Sequence, residues 1–427
     1  MRLLHISNLR GPIARGTIRT TGVLGLRLVV QAGTLLLVAR MLGPDQFGAF
    51  AGVAALAVIL GTLSTFGTHL VLLGEVSKEP AHRTQVLPYA VPSTLLCGGV
   101  LFALYLLITT FALPEIGVAF TVLVAIGVTE TLLQPLFTLP AMEHLALGRI
   151  ARSQLLQTLP LALRLAAAAS VFLLQTTDPL AAYSYGYFAA SLIALAIATL
   201  TMPAPWPATK TWRLPTRAEV RETAGYAALA ITATSPAELD KTLATKLLPL
   251  GGAGLYAAGA RVIGAATLPV IAMMLSALPR LFREGQNQPK RTARLLRWIF
   301  VATVGYSVAL AVAIWFIAPV FVWLFGSKYQ GIEHTIHWLT LAVPGMSLRF
   351  AAGGVLMALG KPWMRVGFEI VGLTVLVVAA IMLAPHLDPA GMPLALACSE
   401  WVMTLLGWAM VRSAIKSPTT RPRLPVA

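Results

Sequence analysis

Ala39-Arg-Met-Leu-Gly-Pro-Asp-Gln-Phe-Gly-Ala-Phe-Ala-Gly52 aligns without gaps against Thr245-Lys-Leu-Leu-Pro-Leu-Gly-Gly-Ala-Gly-Leu-Tyr-Ala-Ala258. Arg40 meets Lys246, Gly48 meets Gly254, Phe50 meets Tyr256 and Ala51 meets Ala257. Each copy is a glycine-bearing turn between two long apolar runs, one in each half of the chain. Six further runs separate the copies, so both have the same orientation, as in a parallel repeat about an axis along a membrane normal.

The runs on either side extend this reading to the whole chain. Its 427 residues are 57% hydrophobic and 11% charged, with mean hydropathy +0.79, whereas soluble domains carry about 25% charged residues. A span needs about 20 apolar residues to cross about 30 Å of hydrocarbon. Cutting at charged, Gly and Pro clusters gives twelve spans, at 18–42, 47–73, 86–110, 115–138, 152–175, 179–202, 223–248, 253–279, 296–325, 333–360, 363–384 and 389–412. The expected fold is an all-α polytopic membrane protein with twelve transmembrane helices. Residues 1–202 form an N-terminal lobe and 223–417 a C-terminal lobe. Between them lies a cytoplasmic linker, 203–222, stiffened by Pro203, Pro205, Pro207 and Pro215; residues 418–427 form a cytoplasmic tail. The first span lacks a short apolar core followed by a small-residue cleavage site, so no removable signal peptide is expected.

Net charge is +16, which in a soluble chain suggests nucleic-acid binding, but here the distribution matters more. Of the 32 Lys and Arg, six read as intramembrane, only Arg40 and Lys328 lie in the loops or at the span ends of one side, and all the others lie in the loops, chain ends or span ends of the opposite side. The positive-inside rule assigns that basic set to the cytoplasm, with both termini there and no nucleic-acid partner.

The six cations inside spans are Arg27, Arg164, Lys241, Lys246, Arg261 and Arg349. Each costs roughly 2.5–3.5 kcal/mol on insertion scales unless it finds a partner, a watery cavity or an interface. Arg27 lies about nine residues into the first span, ~13 Å deep at 1.5 Å per residue. Its planar fork suits a phosphate bidentately, or it pairs with an acid such as Glu130. Asp240 and Arg261 lie at one depth on adjacent antiparallel helices, and an ion pair is the simplest reading. Lys241 faces away from Asp240, toward a cavity or toward Glu238, and Lys246 is close enough to the surface to snorkel. Pro160, Pro236 and Pro344 precede Arg164, Asp240 and Arg349, placing helix breaks beside charges. Glu369 and Glu400 either neutralise arginines or hold a coupling cation or proton. Cys97 and Cys398 read as small apolar side chains. There is no His-rich metal spacing, Asp-x-Asp pair or long outer loop, so no metal, cofactor or catalytic residue is expected.

Ala39-Arg-Met-Leu-Gly-Pro-Asp-Gln-Phe-Gly48 after a first span resembles the signature of the polysaccharide-synthesis proteins, the Wzx-like lipid-linked oligosaccharide flippases of the MOP superfamily. Asp240-Lys-Thr-Leu-Ala-Thr-Lys-Leu-Leu, Gly254-Leu-Tyr-Ala-Ala-Gly-Ala-Arg261, Phe325-Gly-Ser-Lys-Tyr329 and Leu359-Gly-Lys361 resemble later family motifs in order. The resemblance implies two six-helix lobes around a central cavity that opens alternately to each side. It implies as substrate an undecaprenyl-pyrophosphate-linked oligosaccharide made on the cytoplasmic leaflet of a bacterial inner membrane, for O-antigen, exopolysaccharide or capsule assembly. Membrane lipid and a polysaccharide polymerase or chain-length machinery are the further partners it implies. Arginines of the first and eighth helices line the cavity in relatives, which corresponds to Arg27 and Arg261 here. The second span carries only His69 as an ionisable group, and no thirteenth or fourteenth span follows, departures from the peptidoglycan-precursor branch.

The expected substrate-binding set is thus Arg27, Arg164, Arg261, Lys241 and Arg349, with Asp240, Glu130, Glu369 and Glu400 as gating or charge-pairing acids. The alternatives are a cation-coupled multidrug exporter of the same superfamily, which needs acidic cavity walls, and a membrane glycosyltransferase or polymerase.

Overall fold

A computed structural model describes residues 12–113, 116–270, 273–274 and 289–416. Arg2, Arg10, Arg280, Arg283, the tail 418–427 and most of the expected eighth span beyond Val270 lie outside the described residues. Those described are mostly helical, with no strand among them, and a helix satisfies its backbone polar groups within its own segment inside hydrocarbon. The helices are α1 (Pro12–Ser64), α2 (Thr68–Lys78), α3 (Arg83–Phe111), α4 (Phe120–Val128), α5 (Gln134–Ala146), α6 (Ile150–Leu174) and α7 (Pro179–Leu200). There follow α8 (Arg217–Leu247), α9 (Leu250–Ala266), α10 (Pro289–Phe325), α11 (Ile332–Leu339), α12 (Ala342–Ala358), α13 (Pro362–Leu383) and α14 (Gly391–Lys416).

Among the described residues nine helices are long and apolar enough to span a membrane, or up to ten if α11 and α12, bent by 44°, form one span. The chain is a multi-span membrane protein. The difference from twelve has local causes. The first two expected spans run together as Gly25–Ser64, 40 residues, interrupted at Gly43 with φ 72° and ψ 172°. The seventh lies in α8, where Arg217, Glu219, Arg221, Glu222, Glu238, Asp240, Lys241 and Lys246 dilute the apolar content. The two repeat copies are both helix corners: Gly43-Pro44 breaks α1, and Leu248-Pro249 separates α8 from α9.

The expected second span is not one helix. It stops at Ser64 and resumes at Thr68, with Phe66 at φ 46° and Gly67 at φ 77°. A Cβ on Gly67 would lie 2.5 Å from Thr223 O and 2.8 Å from Tyr226 Cβ, so glycine is required both by the left-handed turn and by the backbone of α8. Hydroxyls close the break: Thr68 Oγ1 donates to Thr65 O at 2.7 Å, and Thr65 Oγ1 lies 2.8 Å from His69 Nδ1.

The chain divides into two compact units, Met1–Thr234 and Ser235–Ala427. In the first, α1 packs on α3 and α6, α6 on α7, and α2 on α5. The proline-rich segment after α7 is tied to the same unit. Arg83 joins Glu143 at 2.6 Å and donates to Ala204 O and Pro205 O at 2.7 and 2.8 Å, while Arg213 N donates to Pro88 O at 3.0 Å. In the second unit α14 packs on α12 and α13, and α9 packs on α11. Buried Tyr256, Val343, Leu376 and Leu396 share one core cluster, and Ile299, Phe368 and Met403 share another.

Candidate functional site

Each unit encloses a charged network. In the first, α4 passes into α5 through a π-turn, Thr129–Leu133, that carries Glu130; such bulges re-aim a side chain and recur at functional sites. The close approach of α1 fixes that turn, since a Cβ on Gly61 would lie 2.1 Å from Glu130 O. Arg164, 7% exposed, donates to Glu130 Oε1 at 3.1 Å and to Ser191 Oγ at 3.0 Å. Its guanidinium lies 3.7 Å over the ring of Tyr187, whose hydroxyl donates to Glu130. Phe50 packs edge-on against Tyr187 with centroids 6.0 Å apart.

Arg27 behaves differently. It is half-buried, and its Nη1 donates to Gln157 Oε1 at 3.3 Å. Gln157 Nε2 in turn donates to Ser153 Oγ at 3.3 Å, and Ser153 Oγ to Ala141 O at 2.7 Å. Among the described residues no carboxylate lies within ion-pair distance of Arg27. Glu130, the acid named as its alternative partner, is taken by Arg164.

The second unit has two networks. Asp240 was expected to pair with Arg261 but does not. Lys241 Nζ lies 3.3 Å from Asp240 Oδ1, and Tyr256 Oη donates to Asp240 Oδ2 at 2.8 Å, so both carboxylate oxygens are occupied. Arg261 instead meets Glu238 Oε2 at 3.5 Å, with its side chain 38% exposed. Equal depth placed Asp240 and Arg261 level with each other, but direction around the helix decides the contact. Lys241 also reaches Glu238 at 3.6 Å and donates to Ala237 O, so it faces both acids rather than turning away from Asp240. Tyr256 therefore supports a buried charge from the position equivalent to Phe50. Lys246 is exposed.

Deeper still, Arg349 Nε donates to Glu400 Oε2 at 2.6 Å, and Arg349 Nη1 lies 3.9 Å from Glu369 Oε1. Arg365 Nε donates to the same Glu369 oxygen at 3.0 Å. Two cations and two carboxylates balance, and none of Arg349, Glu369 and Glu400 exceeds 1% exposure.

The structure thus groups Arg164 with Glu130, Lys241 with Asp240, and Arg349 with Glu369 and Glu400. It leaves Arg27 apart from all of them and Arg261 loosely held. Sequence reasoning missed Tyr187, Ser191, Tyr256, Gln157 and Arg365. The four-residue spacing of Tyr187 and Ser191 in an apolar helix was a readable sign of a polar stripe. Arg365 counted as a loop charge although it stands four residues before Glu369.

A family profile described as "Polysaccharide biosynthesis protein" matches residues 13–284. The chain belongs to the polysaccharide biosynthesis protein family. This agrees with the resemblance carried by the Ala39–Gly48 motif. Its fold is that of MOP superfamily transporters. The lipid II flippase MurJ in an inward closed conformation superposes with TM-score 0.74 at 11% identity, over 93% of this chain and 89% of that one. An inward-facing multidrug resistance MATE family transporter gives 0.71 at 14% identity, over 91% and 94%. A MOP superfamily transporter from Pyrococcus furiosus gives 0.63 at 12% identity, over 93% and 94%. No curated protein sequence matches the chain.

Proposed function

We propose that this family member is a flippase carrying an undecaprenyl-pyrophosphate-linked oligosaccharide from the cytoplasmic to the outer leaflet of a bacterial inner membrane, for O-antigen, exopolysaccharide or capsule synthesis. The observation that carries the reading is Arg27. Arg164, Lys241 and Arg349 each meet a carboxylate within their own unit, whereas Arg27 is bonded to the neutral amide of Gln157. Its remaining donors suit a phosphate oxyanion, and Gln157 orients the guanidinium without neutralising it.

The pyrophosphate binds Arg27 while the glycan occupies an aqueous cavity and the prenyl chain stays in lipid. Among Lys241, Arg261 and Arg349 of the second unit, Arg261 is the cation most open to a substrate anion, since its side chain is 38% exposed and 3.5 Å from its acid. Arg164, Lys241 and Arg349, with Glu130, Asp240, Glu369 and Glu400, serve as internal charge pairs that hold each unit together through the cycle. Both termini face the cytoplasm, and transport is by alternating access with no catalytic step. A polymerase or chain-length machinery receives the product.

An exporter of cationic drugs needs carboxylates free to meet a cation, and the same pairs argue against it. Reconstitution in proteoliposomes tests the choice. The flippase reading predicts protein-dependent loss of a fluorescent lipid-linked glycan from the accessible leaflet and no counter-flow of organic cations; the reverse pattern would overturn it.

A further inference from the structure

On α6, Ser153 and Gln157 stand one turn apart and share a face of the helix. Arg164, about two turns further on, lies on the same side. Two guanidiniums meet this side of α6 and are treated in opposite ways. Arg164 is neutralised by Glu130, whereas Arg27, reaching over from α1, is met by an uncharged amide.

The direction of that amide is imposed by the backbone of α5. Ala141 O is fixed in that helix and takes the one proton of the Ser153 hydroxyl at 2.7 Å. Ser153 is fully buried, so it has no solvent to trade for that bond. Its oxygen can then only accept, and it accepts from Gln157 Nε2 at 3.3 Å, which leaves Gln157 Oε1 to receive Arg27 Nη1 at 3.3 Å. Turned over, the amide would set its NH2 against the guanidinium donors and its oxygen against a hydroxyl with no proton left to give. One orientation alone satisfies both ends.

Arginine is long and rotamer-rich, and restraining it before a ligand arrives lowers the ordering cost of binding. The amide takes up one donor of Arg27 and adds no negative charge. A carboxylate in its place would hold the guanidinium as firmly but would neutralise it, as Glu130 does Arg164.

We infer that Ser153 and Gln157 are positioning residues for the Arg27 anion site, and that the uncharged side chain of Gln157 determines that the site takes an oxyanion. The inference rests on the flippase reading above, in which Arg27 meets the pyrophosphate. Ser153 acts through the Gln157 amide, and Gln157 through the guanidinium.

The test measures equilibrium binding of a fluorescent polyprenyl pyrophosphate to the full chain in nanodiscs, beside the melting temperature and the flipping of a lipid-linked glycan. Gln157→Glu should weaken binding at least about tenfold, as for a lost charge-assisted hydrogen bond, and yet melt at or above the parent because Arg27 gains a carboxylate. A merely structural role predicts weaker binding together with a lower melting temperature. Ser153→Ala should weaken binding about three- to tenfold, the loss of one neutral hydrogen bond. It should make no further difference once Arg27→Ala is present, because its effect passes through that guanidinium. Gln157→Met, which keeps the length and breaks both contacts, takes the place of Ser153→Ala in this cycle should the latter fail to fold. Parental binding in a folded Gln157→Glu protein, a binding loss matched by a lower melting temperature, or a Ser153→Ala loss that adds in full to that of Arg27→Ala would overturn the inference. A parent that flips glycan while these variants bind as it does loses the positioning chain and keeps its proposed function. A parent that binds the pyrophosphate with the expected variant pattern but flips no glycan keeps the positioning chain and loses the flippase reading.

Discussion

Arg349 and Glu400 lock α12 to α14 through a 2.6 Å hydrogen bond at 1% and 0% exposure. Removing one partner strands a charge in a dry interior, which costs roughly 3–5 kcal/mol, whereas replacing both by apolar groups of similar volume is often neutral or better. Arg349→Met and Glu400→Leu should each lower the melting temperature in detergent strongly, and the double variant should recover most of the loss. Additive losses in the double variant would mean that the two charges are not coupled.

The helix contact at Gly61 is equally specific. A methyl there meets Glu130 O, a backbone atom that cannot rotate away, so Gly61→Ala should destabilise by about 1–3 kcal/mol. Gly99 in α3 has no heavy atom within 4 Å of a built Cβ, and Gly99→Ala should be neutral or stabilising by roughly 0.5–1 kcal/mol. Melting curves of the two variants side by side check the contrast.

At the start of α8, Thr216 and Glu219 form a capping box. Thr216 N donates to Glu219 Oε2 at 2.7 Å, and Glu219 N donates to Thr216 Oγ1 at 3.4 Å. Arg213 adds bonds of 2.6 and 2.8 Å to the same carboxylate. That guanidinium, with the Thr216 donors, holds the Glu219 carboxyl down at about 2. A carboxyl lowered in the folded state contributes stability that is complete above its ordinary value of 4.5 and is lost as pH falls toward 2. The melting temperature should therefore drop across that window, and Glu219→Gln should lower it at neutral pH while flattening the acid dependence. An unchanged acid profile in Glu219→Gln would remove this cap from the account.

Much of the fold was legible because its main signals are local: apolar run length, the clustering of basic residues and the repeated turn at Ala39 and Thr245. The breaks were less so. Phe66 holds a left-handed conformation that its residue type does not announce, and the π-turn at Glu130 is imposed by α1 pressing on its backbone. The charged residues themselves stood out, because ionisable groups in apolar runs are conspicuous. Their partners did not, since pairing depends on direction around the helix axis. Asp240 meets Lys241 and Tyr256 while Arg261 turns to Glu238, although depth alone matched Asp240 with Arg261. Arg27 was conspicuous from the start, but its separation from every described carboxylate emerged only from the packing of α1 on α6.

The central claim is that Arg27 receives the substrate's pyrophosphate, and the flipping rate of a fluorescent lipid-linked glycan in proteoliposomes measures it most directly. Arg27→Ala should slow flipping at least about tenfold, as expected for a lost charge-assisted hydrogen bond of roughly 1.5–3 kcal/mol. Arg27→Lys should retain an intermediate rate, and both variants should melt close to the parent because no carboxylate is left unpaired. A correctly folded Arg27→Ala protein that flips the glycan at the parental rate would contradict the account.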